Sequence, residues 1–124
     1  MHTNKLLGAQ MINFEGKEII MDEKVVSLPH SILDAEESGE NVFVVYDYME
    51  YPKGTPANNL VCLDKNGNEL WIAKNPTNQS NDGYTNFSRT TTSKSGFIAV
   101  NNFAGYLCQV NINNGELGNV LFTK

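Results

Sequence analysis

Apolar and polar positions along the chain alternate in the manner of strands almost throughout. The clearest run is Val42-Phe-Val-Val-Tyr-Asp-Tyr48, with Val42, Val44, Tyr46 and Tyr48 on one face and Phe43, Val45 and Asp47 on the other. A segment apolar on both faces belongs in the middle of its sheet. The next run, Asn59 to Ala73, has an apolar arm (Leu60 to Leu63), the turn residues Asn66-Gly67, and a second arm holding the single tryptophan, Trp71. Asn-Gly predicts a type I′ hairpin turn, whose two central residues both take positive φ. The same design returns from Gly105 to Gly118.

The remaining segments fit the same scheme. Leu6 to Phe14 and Lys17 to Met21 flank Glu15-Gly16 as a hairpin, and Val25, Val26 and Leu28 form a strand ended by Pro29. Ser31 to Ala35 fits a short strand or a helical turn equally well, and Glu36 to Glu40 reads as a charged turn. Glu50 to Asn58 and Lys74 to Gly83 are loops, Tyr84 to Thr92 an alternating strand, and Phe97 to Val100 and Leu117 to Phe122 further strands. No helix of ten residues is predicted. The expectation is an all-β single domain over 1–124, an antiparallel meander of about eight to ten strands forming an open sandwich or curved sheet.

Overlaying the hairpins gives a repeat of 46–48 residues, Cys62 onto Cys108 and Gly67 onto Gly115, with units over about 41–73 and 96–122. Leu63-Asp64…Gly67…Leu70-Trp71 and Val110-Asn111…Gly115…Leu117 resemble the blade pattern of quinoprotein-type β-propellers. A closed propeller needs about four or more blades. The chain has material for two or three, so the units are expected to pack without closing.

Composition narrows the function classes. The net charge is −5, which disfavours nucleic acid and anionic membrane as partners and favours a basic protein. Residues 1–50 hold ten acidic and three basic side chains, while 51–124 hold four and six. Seventeen asparagines cluster where turns are expected. Cys62 and Cys108 read as buried thiols, with a bridge between them left open. No stretch resembles a signal peptide or a membrane span, so the expected location is cytoplasmic.

The chemistry-bearing residues form no catalytic set. His30 and Ser31 are chain neighbours that point apart in an extended backbone. Two Cys and two His lack zinc spacing, and Asp64 to Glu69 is too short for an EF-hand loop. No enzyme activity, metal or cofactor is expected. The informative stretch is the acidic run Asp34, Glu36, Glu37, Glu40, Asp47 and Glu50, with Tyr46, Tyr48 and Tyr51 interleaved. It reads either as a solvated sheet edge with the tyrosines in the core or as a surface that docks a basic protein. Asp82 and Tyr84 join it as secondary contact candidates.

From Tyr46-Asp-Tyr48 through the Asn59 to Trp71 hairpin to Gly105-Tyr…Asn-Gly-Glu-Leu117, the chain also resembles short bacterial immunity proteins of toxin–immunity pairs, the contact-dependent inhibition class. The resemblance implies a non-catalytic protein that occludes the active site of a basic toxin. A nuclease is the natural candidate, because its site must be basic to hold phosphates. A self-associating propeller-like module and a carbohydrate-binding β-sandwich are the alternatives.

Overall fold

The computed structural model describes residues 12–89 and 95–123; the strand segments expected over Leu6 to Met11 and Thr90 to Thr92 lie outside the described residues. The described chain is all-β, in three antiparallel sheets taken in chain order. The first is β1 (Ile12–Glu15), β2 (Glu18–Met21) and β3 (Lys24–Ser27). The second is β4 (Ile32–Ser38), β5 (Asn41–Tyr46), β6 (Leu60–Asp64) and β7 (Glu69–Ala73). The third is β8 (Tyr84–Phe87), β9 (Phe97–Asn102), β10 (Tyr106–Asn111) and β11 (Leu117–Phe122). No described helix is long and apolar enough to cross a membrane.

The second sheet is the middle layer. Its Val42, Val44, Tyr46, Val61 and Leu63 pack against Ile19, Met21 and Leu28 on the side of the first sheet. Its opposite face, Phe43, Val45, Leu60, Cys62 and Ala73, packs against Phe87, Ile98, Val100, Cys108 and Val110 of the third. This double burial is why β5 is apolar on both faces, and β5 is indeed an inner strand. The leading strands adjoin, β1 beside β4 and β4 beside β8. Successive sheets therefore stack face to face with their first strands along one side.

Three turns differ from the sequence expectation. At Asn66-Gly67 only Gly67 has positive φ, 88°. Gly67 N donates to Asp64 O at 3.0 Å and Asp64 N to Asn68 O at 2.9 Å, closing a three-residue loop over Lys65 to Gly67. The cause is Asp64, whose carboxylate accepts from Asn66 N at 2.8 Å and Asn68 N at 2.9 Å and so sets an Asx-type turn. The dihedral pair of a type I′ turn falls instead at Asp22 (φ 49°) and Glu23 (φ 66°). Glu36, Glu37 and Ser38 are not a turn but continue β4, opposite Phe43, Val42 and Asn41; the turn shrinks to Gly39-Glu40. The strand from Val42 ends at Tyr46, because Asp47 caps a single 3-10 turn over Tyr48–Glu50.

The two hairpins meet directly. Trp71 Nε1 donates to Ile112 O at 3.1 Å, and a Cβ on Gly115 would stand 2.5 Å from Trp71 Cε3. Cys62 lies opposite Phe43, and Cys108 opposite Val100, in one shared core, and both thiols are free.

Candidate functional site

In antiparallel meanders, alternate connections emerge at the same end of the stack. The long ones here, 47–59 and 74–83, leave together with the short turn at 103–105. Their side chains explain why such polar loops take one shape. Asn59, fully buried, donates to Tyr46 O at 2.6 Å and Tyr84 O at 2.8 Å, and accepts from Tyr84 N at 2.8 Å. Asp82, also buried, accepts from Thr77 Oγ1, from Asn102 Nδ2 at 3.0 Å and from Ala104 N at 3.0 Å. Backbone bonds complete the tie: Ala57 N to Asp82 O at 2.7 Å and Phe103 N to Gly83 O at 2.8 Å. A buried polar group must find its partners inside the protein. This network therefore fixes three loops to one another.

The fixed end presents a mixed aromatic and acidic surface. Met49 is 60% exposed and Phe103 54% exposed. Tyr48 stacks on Phe103 with ring centroids 5.7 Å apart. Gly83 leaves room for it, since a Cβ there would stand 2.5 Å from Tyr48 Cβ. Beside them, Asp47 accepts from Met49 N at 2.9 Å. Glu50 accepts from Ser31 N at 3.1 Å and meets His30 Nδ1 at 3.2 Å. The bonds from Ser31 hold the Glu50 carboxyl below its ordinary range, so it stays ionised. His30 lies against Tyr51, centroids 4.7 Å apart, and Tyr46, 5.4 Å apart. Burial pushes the Tyr51 phenol up to about 12, so it remains a neutral donor.

The eleven residues singled out from sequence separate into three groups and one lone residue, Glu40. Asp47, Tyr48, Glu50 and Tyr51 come together on this loop end. Tyr46, Asp82 and Tyr84 are buried and leave the surface: Tyr46 faces the first-sheet core, the Tyr84 hydroxyl donates to Lys74 O at 2.6 Å, and Asp82 anchors the loops. Asp34, Glu36 and Glu37 lie on β4 and are matched by cations distant in sequence. Arg89 reaches Asp34 at 2.9 Å and Glu36 at 3.3 Å, and Lys65 pairs with Glu37. Asp34 also accepts from Phe87 N at 2.9 Å, joining β4 to β8. Burial raises the Glu36 carboxyl above its ordinary value, with Arg89 opposing. Glu40 stands apart at the β4–β5 turn, exposed. The acidic run is thus not one surface.

Met49, Phe103 and His30 were missed as surface members. Only Met49 carried a signal, lying between two tyrosines; Phe103 reaches the site through the β9–β10 turn. Among the described residues no group of three or more His, Cys, Asp or Glu could hold a metal ion.

A family model matches residues 9–122, nearly the whole chain. The chain belongs to the DUF7957 family, a domain of unknown function. No match was found among curated proteins. The matched span takes in all three sheets and both long loops, so the loop end just described belongs to the family domain.

Proposed function

We propose that this is a non-catalytic binding protein that acts in the cytoplasm and docks a basic protein partner through the loop end. The observation that supports it best is the pairing of exposed Met49 and Phe103 with Tyr48 on loops fixed by a buried polar network. Aromatic side chains and Met are enriched at interfaces, and a surface ordered before contact loses less freedom on binding. Asp47 and Glu50 flank the patch, and the net charge of −5 favours a basic partner and speeds its approach.

In its specific form the proposal is an immunity protein that covers the basic active site of a toxin, a nuclease by the charge argument. The resemblance over residues 41–124 and the absence of a catalytic set in the sequence support this form. The test is co-expression with the C-terminal region of the polypeptide encoded beside it. Restored cell survival together with a stable purified complex is the expected result. Unchanged toxicity, or no toxicity to relieve, overturns the immunity form. Absence of any complex overturns the binding reading for that partner.

A further inference from the structure

β3, β7 and β11 are the outermost strands of their sheets, with no described strand beyond them. β1, β4 and β8 lie on the other side, where the sheets adjoin. An open edge is a template for a further strand, and proteins commonly blunt it with charge or proline. β3 and β7 begin on the charged Lys24 and Glu69. β11, Leu117-Gly-Asn-Val-Leu-Phe122, has no charged residue and no proline. Its Val120, Leu121 and Phe122 are 40%, 62% and 55% exposed.

The register shows which backbone groups this edge offers. β10 and β11 pair Tyr106 with Phe122, Leu107 with Leu121 and Cys108 with Val120. One step on, Thr123 N donates to Gly105 O at 2.8 Å. Antiparallel neighbours alternate between hydrogen-bonded and non-hydrogen-bonded pairs. Gly105–Thr123 and Leu107–Leu121 are therefore the bonded pairs, and the N–H and C=O groups of Val120 and Phe122 point away from β10. A second β11, brought up antiparallel about a two-fold axis at Leu121, meets those groups with the same groups of its own. Val120 of each copy then exchanges both backbone bonds with Phe122 of the other, and Leu121 stands opposite Leu121. Val120 and Phe122 share a face of the sheet, so their side chains meet as a β-branched and aromatic pair, a stabilising combination across strands.

We infer that the protein forms a symmetric dimer through β11, two four-stranded third sheets joining edge to edge into one of eight strands. A second copy is the occupant that fits, because one register satisfies the outward amides and covers all three exposed apolar side chains. Each copy carries a net charge of −5, yet β11 itself brings no like charges together. Such an isologous contact closes at two copies. The paired strands run in opposite directions, so the two loop ends face opposite ways.

Sedimentation velocity on the full chain, over a range of concentrations, tests this. The expected species has twice the mass of the 13.8 kDa chain. Leu121→Lys, at an exposed position and checked for a retained strand spectrum, should be monomeric where the wild type is dimeric, because like charges meet on the axis. Under mild oxidation Leu121→Cys should cross-link to its own counterpart. Residues in a non-hydrogen-bonded pair stand about 4.5 Å apart at Cα, within disulfide reach. Asn119→Cys, whose position falls opposite Thr123 of the other copy, should not cross-link. A wild-type protein that stays monomeric at every concentration overturns the inference, and is the result expected of an edge that receives a strand from a different protein. A Leu121→Lys protein that still dimerises also overturns it, as does a Leu121→Cys protein that fails to cross-link.

Discussion

At Gly83 and Asp82 the candidate surface depends on single side chains that a partner would not touch. Gly83→Ala would drive a Cβ to 2.5 Å from Tyr48 Cβ, an atom next to the backbone that cannot swing aside. The expected cost is about 1–3 kcal/mol, read from the denaturant midpoint, with Tyr48 displaced from Phe103. Asp82→Ala removes the acceptor shared by Thr77, Asn102 and Ala104, although Asn102 keeps Asn75 Oδ1 at 3.3 Å, and should cost about 1–3 kcal/mol in all as the loops come untied. The thiols offer a separate check. Burial pushes Cys62 up to about 11 and Cys108 up to about 12, so neither should react with a thiol reagent at neutral pH until the protein unfolds. The sequence revealed their burial, because both sit in apolar strand patterns. It left the burial of Tyr46 open and did not reveal that of Asp82 and Tyr84. Aspartate is a surface residue by default, and the loop network is what satisfies Asp82 inside, while the Tyr84 hydroxyl donates to Lys74 O.

At the scale of elements, strand existence was legible and turn chemistry was less so. Apolar alternation located the described strands other than β4, whose first half it left undecided and whose second half it read as a turn, and Asn66-Gly67 formed a three-residue loop because Asp64 captures the amides of Asn66 and Asn68. Those bonds also lower the Asp64 carboxyl below its ordinary range. The left-handed pair Asp22-Glu23 carries the strain that Asn-Gly would relieve. Replacing it with Asn-Gly should stabilise the first sheet by about 1 kcal/mol, measured by thermal unfolding. The contact between hairpins gives a spectroscopic prediction. Gly115 has φ 78° and faces the ring of Trp71, the only tryptophan. Gly115→Ala should therefore shift the fluorescence of the folded protein as well as lower its stability. The acidic run is divided in space for a related reason. Arg89 and Lys65, far along the chain, return to β4 and neutralise Asp34, Glu36 and Glu37.

For the molecule as a whole, pH dependence follows from the same carboxylates. Glu50 and Asp64 have lowered folded-state values, so their stabilisation is present above the ordinary carboxylate range and is lost as pH falls through the folded values. Glu36, raised by burial, works in the opposite sense and opposes folding most when ionised. The melting temperature should fall as the medium is acidified below the ordinary carboxylate range, with the Glu36 contribution making the decline shallower at its upper end. The central claim concerns the loop end, and its most direct test compares two altered proteins in the survival assay with the C-terminal region of the polypeptide encoded beside it. One carries Tyr48→Ala, Met49→Ser and Phe103→Ser; the other carries Glu40→Gln, away from the loops. With both folded, the account predicts that protection is lost in the first and kept in the second. Full protection by the loop-end variant would contradict it.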